Sequence, residues 1–298
     1  MDRTSDADVA LLSSAASQHL DTDLPLLVGA LAQRGITAEV VDWHDADRDW
    51  SRLPLVVIRS TWDYTDDAAA FMAALRHIAV ATSLANPISA VEGTIDKRYL
   101  ARLAAAGIPV VPTTVVDVDD EPVVPKGVEV VVKPTVSAGA RDTERYPADA
   151  HAAAVAHVRS LQAGGRAALV QPYVHAVDDR GETGLVFLGD RFSHAFRKGP
   201  ILRPGATYVE GLYREEEITA RRPSGEEREV AERVLDAVAS AAPGCARSDL
   251  LYARVDLVPG PDGPLLMELE LIEPSLFLET DPTAPARAAA AVAARLGS

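Results

Sequence analysis

Two runs near the C-terminus, Arg254-Val255-Asp256-Leu257 and Met267-Glu268-Leu269-Glu270, set acids between apolar neighbours at alternate positions. Both read as strands, Tyr252 to Val258 and Leu265 to Leu271. The linker Pro259-Gly260-Pro261-Asp262-Gly263-Pro264 is turn chemistry, which makes the pair a hairpin. Strand period two puts Glu268 and Glu270 on one face, and pairing can bring Asp256 beside them. Carboxylates crowded on one apolar hairpin repel each other unless a cation sits among them. Oxygen-only ligands suit Mg2+, and Mg2+ so held usually carries nucleotide phosphates. The alternative is a solvated polar face. The Leu and Met residues flanking the acids favour burial instead.

Cations suited to phosphate recur along the chain. There are only four lysines against 25 arginines: Lys97, Lys126, Lys133 and Lys198. Where lysine survives such a bias, its compact, flexible ammonium has a raised claim to a role. Lys133 ends the apolar run Val130-Val131-Val132. The loop from Thr135 to Thr143 follows, and its small residues with Gly139 let backbone N–H groups approach an anion. Ser137 and Arg141 can add donors there. Lys97 opens a helix predicted over Thr94 to Ala106. Gln171-Pro172-Tyr173-Val174 closes a strand whose proline lacks a donor, leaving an edge that can pair with an adenine. Arg197 and Lys198 leave a strand together, and Arg254 stands two residues before Asp256; cations beside carboxylates are what phosphoryl transfer requires. Arg59-Ser60-Thr61-Trp62-Asp63-Tyr64 follows the apolar strand Leu55 to Ile58. Open α/β sheets bind ligands at strand carboxyl ends, so this loop is a substrate-site candidate.

The elements that must position these residues fall into lobes. Strands at Val9 to Leu12, Ala38 to Trp43 and Leu55 to Ile58 alternate with helices at Leu24 to Arg34 and Asp67 to Ala79. This predicts a parallel α/β lobe over residues 1–88. Residues 89–298 form a second unit, with a small lobe over about 110–174 and a C-terminal lobe over about 175–298. In the small lobe, strands at Thr113 to Val116, Val128 to Val132 and Ala168 to Val174 surround a helix over Ala148 to Gln162. In the C-terminal lobe, strands near Glu182 to Leu188 and Arg191 to Arg197 precede a helix from Gly225 to Ala242. The hairpin follows, and a last helix runs from Pro285 to Leu296. The stretch Lys198 to Ala220 reads as a mobile surface loop.

Composition narrows the function. The 298 residues carry 29 basic and 44 acidic side chains, a formal charge of -15. That disfavours a nucleic-acid groove or an anionic membrane as partner. No apolar run reaches membrane-spanning length, and three acids in the first eight residues are unlike a signal peptide, so a cytoplasmic protein is expected. The single cysteine, Cys245, allows no internal disulfide and has no histidine nearby. There is no Walker A pattern, no G-x-G-x-x-G, no G-x-S-x-G, and no metal-ligand spacing among the seven histidines.

In this order, Lys97, Lys133, the Ser137-to-Arg141 loop, Gln171 to Val174, Arg254, Asp256 and Glu268 resemble the ATP-grasp superfamily from about Ala90 onward. The first lobe is similar to that family's preceding α/β domain. The resemblance implies α/β and α+β lobes clasping ATP. It implies that a carboxylate is activated as an acyl phosphate and joined to a nucleophile, with ATP and Mg2+ as cofactors. Lys97, Lys133, Ser137, Gly139, Arg141, Gln171, Tyr173, Val174 and Glu182 would then hold the nucleotide. Asp256, Glu268 and Glu270 would hold metal, and Arg254, Arg197 and Lys133 would act in catalysis. Glu270 departs from the family, which often has Asn there. The Arg59-to-Tyr64 loop, the Ser-Ala-Gly-Ala-Arg-Asp-Thr loop and the run Glu268 to Ser275 look like the branch that cyclises O-ureido-D-serine to D-cycloserine. On that likeness Arg59, Ser60, Thr61, Trp62, Asp63, Tyr64, Arg197 and Ser275 would hold a small amino-acid-like substrate. The rivals are an intermolecular carboxylate–amine ligase and a nucleotide-binding module without turnover. The sequence leaves a homo-oligomer open.

Overall fold

The computed structural model describes residues 7–200, 202 and 217–297. Strand β1 (Val9–Ser13), helix α1 (Asp23–Ala32), β2 (Ala38–Asp42), β3 (Leu55–Ile58), α2 (Ala68–Ala81) and β4 (Ser83–Ala85) build a parallel sheet in the order β2-β1-β3-β4. All of β1 and β3 is buried because both faces are covered. Alternation decides what each residue meets. Val9, Leu11, Leu55 and Val57 pack with Leu24, Leu27 and Leu31 of α1, whereas Ala10, Leu12, Val56 and Ile58 meet Phe71, Leu75 and Ile78 of α2. The C-terminal helix α8 (Ala284–Leu296) returns to this lobe, where Ala288, Ala289 and Val292 join the α1 side.

The helix predicted over Thr94 to Ala106 is two helices, α3 (Ile88–Thr94) and α4 (Tyr99–Ala105). Local side-chain bonds break it. Thr94 Oγ1 bonds back to the Ala90 carbonyl at 2.8 Å, and Asp96 Oδ1 accepts from the Arg98 N–H at 2.9 Å. Lys97 lies in the gap, with its N–H donated to the Thr135 carbonyl at 2.8 Å. This corrects the expectation that it opens a helix.

The small lobe holds β5 (Thr114–Val116), β6 (Val130–Pro134), β7 (Glu144–Tyr146), α5 (His151–Ala163) and β8 (Ala168–Pro172), with sheet order β5-β8-β6-β7. Val130, Val132, Ala168 and Val170 pack under Ala154, Val158 and Leu161 of α5. The alternate residues Val131, Lys133 and Gln171 face the other way, into the interlobe cavity. β8 is an inner strand, but its pairing with β5 stops at Val170. Gln171 and Pro172 pair with β6 alone, so the expected edge exists only at that end.

After the short helix α6 (Ala176–Arg180), the C-terminal lobe holds β9 (Glu182–Leu188), β10 (Arg191–Lys198), β11 (Ile218–Ala220), α7 (Gly225–Ala241), β12 (Tyr252–Gly260) and β13 (Gly263–Glu270). The antiparallel order is β11-β10-β9-β12-β13. The expected loop from Lys198 to Ala220 is strand at both ends, Lys198 in β10 and Ile218–Ala220 in β11. Most of what lies between falls outside the described residues. Leu185, Phe187, Val255, Leu257 and Leu269 pack against Ala231, Val234 and Leu235 of α7. On the opposite face Val186, Leu188, Phe196 and Tyr252 join the core of the first lobe.

Two seams fasten that lobe to the C-terminal one. Asn86, fully buried, donates Nδ2 to the carbonyls of Tyr252 (2.8 Å) and Leu271 (2.7 Å), and its Oδ1 accepts from the Leu251 N–H (2.6 Å). The Asp23 carboxylate accepts from the N–H groups of Leu276 (2.6 Å), Phe277 (3.2 Å) and Leu278 (2.7 Å). Cys245 is free and buried. Among the described residues no helix is long and apolar enough to cross a membrane.

Candidate active site

The face of the C-terminal sheet that joins the first lobe at Val186 and Tyr252 continues upward as charge. The expected hairpin forms, and its pairing sets Asp256 directly across from Glu268 and Arg254 across from Glu270. Glu182 and Lys198 are paired on the neighbouring strands. A cavity of about 710 Å³ opens above them and under the small lobe. Lys97, Lys133, Lys198 and Arg254 line it, and each is at most 9% exposed. Lys97 Nζ lies 3.1 Å from Glu268 Oε1 and donates to Ser137 O at 2.6 Å. Lys198 Nζ lies 3.5 Å from Glu182 and 3.7 Å from Asp256. The Arg254 guanidinium grips Asp256 through Nε (2.9 Å) and Nη2 (2.8 Å), bonds Glu270, and donates to the Ser275 carbonyl at 2.9 Å.

This charge balance sets the protonation of the site. Burial alone would raise the Glu268 carboxyl, but Lys97, Lys133 and Lys198 outweigh it and hold the group well below the carboxylate range. Burial pushes Glu270 well above that range. Arg254 opposes the rise and loses, because Glu268 and Asp256 add their repulsion. Lys133 is pushed down by burial; Glu268 pulls it back, and Lys97 and Lys198 repel it further down. Glu273 is pushed up to about 7 by burial, against the pull of Lys97 and a hydrogen bond from Tyr64.

The small lobe brings the expected nucleotide residues to the same cavity. Lys133, Ser137, Gly139, Gln171, Tyr173, Val174 and Glu182 all line it. Gly139 takes a φ of +61°, the left-handed conformation that glycine adopts without strain. Gln171 Nε2 is held by Thr113 Oγ1 at 2.8 Å, and the Tyr173 ring is covered by the Arg145 guanidinium at 3.4 Å from its centroid. Of the expected substrate residues, Trp62, Tyr64 and Ser275 line the cavity.

The others do not. Arg59 is 1% exposed and lies beneath the site, with Nη2 3.8 Å from Asp21 and 3.5 Å from Asp23. Ser60 bonds Ser13 Oγ at 2.7 Å, and Thr61 is fully buried. Asp63 accepts from Trp43 Nε1 at 2.8 Å, outside the cavity lining. Arg141 pairs with Asp66 at 2.6 Å, tying the small lobe's loop to the first lobe instead of reaching the nucleotide site. Arg197 sits one residue out of phase with Lys198, so strand alternation turns it away. Its Nε donates to the Arg180 carbonyl at 3.1 Å. The three acids expected to hold metal are separated by cations. Among the described residues no three His, Cys, Asp or Glu side chains converge as a ready metal cluster. Glu270 and Asp256 are bridged by Arg254, and Glu268 is turned to Lys97. Two carboxylates with phosphate oxygens are nonetheless a sufficient donor set for Mg2+. Asp256 and Glu268, opposed across the hairpin, fit it.

Two residues carry more than the sequence assigns them. The sequence marks Arg197 and Lys198 alike as cations leaving a strand and gives only Arg197 a role in the site, but it is Lys198 that lines the cavity. Glu273 stood in plain view in Ile272-Glu273-Pro274. No periodicity marks it, because it follows the end of β13.

The chain is 41% identical over 300 residues to the cycloserine biosynthesis protein DcsG of Streptomyces lavendulae, covering 97% of this chain and 98% of that protein. The chain belongs to the DcsG family. Residues 9–86 match the family described as D-cycloserine synthetase DcsG, N-terminal domain. The crystal structure of D-cycloserine synthetase DcsG superposes with a TM-score of 0.87 at 39% identity, over 97% of this chain and 99% of that one. The D-alanine–D-alanine ligase of Bacillus anthracis, solved with ATP, shares the fold at 12% identity, with a TM-score of 0.66 over 97% of this chain and 96% of that one. This chain has the ATP-grasp fold, and it is an ATP-dependent ligase.

Proposed function

We propose that the protein phosphorylates the carboxylate of O-ureido-D-serine with ATP, releasing ADP, and closes the activated acyl group onto the substrate's own aminooxy-side nitrogen with loss of phosphate; water then removes the carbamoyl group as ammonia and carbon dioxide, giving D-cycloserine. The observation that carries the proposal is the convergence of four buried cations, Lys97, Lys133, Lys198 and Arg254, on one cavity. The 41% identity to a cycloserine biosynthesis protein directs the choice of substrate. Gln171 to Val174, at the open end of β8, would hold the adenine. Lys133, Lys97 and the Ser137–Gly139 loop would hold the phosphates. Mg2+ held by Asp256 and Glu268 neutralises phosphate charge when bound. Arg254 and Lys198 carry the substrate carboxylate beside the terminal phosphate, in place of Arg59 and Arg197. Trp62 and Tyr64 close the substrate end against water. Because nucleophile and acyl group belong to one molecule, holding it folded supplies a large effective molarity, and no channel for a second reactant is needed.

Incubation with O-ureido-D-serine, ATP and Mg2+ tests the reading. D-Cycloserine and ADP should form together with no added acceptor. If ADP is released only when a separate amine is supplied, the cyclisation is wrong and an intermolecular ligase replaces it. If no ATP is consumed with any substrate, neither ligase reading survives.

A further inference from the structure

The cavity contains one carboxylate that the charge network leaves over. Glu268 is paired with Lys97, Glu182 with Lys198, and Glu270 with Arg254. Glu279 lines the cavity too but is exposed, so water compensates it. Glu273 is 8% exposed and makes no ion pair with any described residue. Its backbone is fixed by Trp62, whose Nε1 donates to the Glu273 carbonyl at 2.9 Å, and its carboxyl takes a hydrogen bond from the buried Tyr64 hydroxyl. Both aromatic residues line the cavity beside it. Asp63, the one carboxylate among the expected substrate residues, is spent on Trp43 and lies outside. A buried carboxylate is costly without a cation, and the protein supplies none at hydrogen-bonding range.

We infer that Glu273 is the receptor for the substrate's α-ammonium, and that it restricts the pocket to substrates carrying a primary amine next to the reacting carboxylate. The inference rests on the amino-acid substrate of the reading above. Chemistry places the two groups together: an α-amino acid has its ammonium and carboxylate on one carbon. The carboxylate goes to the cations around Lys198 and Arg254, so the ammonium must find an anion a few ångströms away. Tyr64 positions the carboxyl from one side. The elevated affinity of Glu273 for a proton is the same demand for a cation, met by H+ when no ligand is present.

Binding is measured by calorimetry on the full chain with Mg2+ and a non-hydrolysable ATP analogue, using O-ureido-D-serine and its deamino counterpart. A panel of D- and L-amino acids, each with its deamino partner, is run alongside. Wild type should prefer the amine by about 10- to 100-fold, the range of a charge-assisted hydrogen bond. In Glu273→Gln that preference should fall to threefold or less, with affinity for the nucleotide analogue unchanged. Glu273→Asp should restore part of it, a rescue that a purely structural role would not give. Circular dichroism and melting temperature establish that each variant is folded. A folded Glu273→Gln that still prefers the amine as wild type does overturns the inference, as does a wild type that ignores the amine. If another amino acid binds in place of O-ureido-D-serine, the cyclisation reading fails while the inference is tested on that ligand. If no amino acid binds, both fail.

Discussion

The Lys97 ammonium lies 3.1 Å from the Glu268 carboxylate and 2.6 Å from the Ser137 carbonyl, so one cation joins the hairpin of the C-terminal lobe to the loop after β6 in the small lobe. Lys97→Met removes that link and the proposed phosphate donor at once. ATP-dependent ADP release should fall by about 100-fold or more, the usual loss on removing a transition-state donor. Lys126→Ala should leave it unchanged, because Lys126 is exposed on the turn before β6. Equal losses at both positions would remove Lys97 from the mechanism.

Glu268→Gln should lower turnover at least as far and raise the Mg2+ concentration needed for half-maximal rate, since a neutral amide holds the ion less well. A titration of ADP release against MgCl2 reads both effects. An unchanged Mg2+ requirement would assign Glu268 to Lys97 alone.

Arg59 and Asp23 act on stability. Arg59→Met leaves Asp21 and Asp23 buried without their cation, and Asp23 is the anchor for three N–H groups of the loop Leu276 to Leu278. Removing one partner of a buried pair costs about 3 kcal/mol. Urea unfolding should show that loss, while the nucleotide affinity of the folded fraction stays as in wild type. A stable Arg59→Met variant with weakened substrate binding would return Arg59 to the substrate pocket.

Stability should also fall with pH in a defined window. The folded Glu273 carboxyl is raised to about 7, above its ordinary 4.5, so its contribution is full below pH 4.5 and is lost as pH rises through 7. At 1.36 kcal/mol per pH unit the loss is at most about 3 kcal/mol. Glu270, also raised, acts in the same direction, whereas the lowered Glu268 stabilises above the ordinary carboxylate range and loses that effect only in strong acid. Urea unfolding at pH 5 and pH 8 should show Glu273→Gln flattening the decline and exceeding wild type at pH 8. A variant with the wild-type slope would show that Glu273 titrates normally.

The sequence by itself determined the periodic features. The buried strands Val9–Ser13 and Leu55–Ile58, the helix Gly225–Ala241 and the hairpin itself follow from alternation, apolar spacing and turn residues, whereas a register shift between Asp256 and Leu257 decides that Asp256 stands across from Glu268. The three-residue strands Ser83–Ala85, Glu144–Tyr146 and Ile218–Ala220 were not legible, since three residues carry no period and these lack the unbroken β-branched run that marks Thr114–Val116. The site divided in the same way. Lys97, Lys133, Ser137, Glu268 and Glu270 were marked by type and spacing, and they do meet at one cavity, with Asp256 held against its Arg254. Which cation of a neighbouring pair enters that cavity depends on strand phase, and this separates Lys198 from Arg197. Which of several buried acids keeps a partner depends on residues distant in the chain. Tertiary structure alone gave Arg59 to Asp23, 36 residues away, and left Glu273 without an ion pair among the described residues. The physical reason is that chain-local rules fix direction and face, whereas the electrostatics of a site is a sum over groups that only packing brings together.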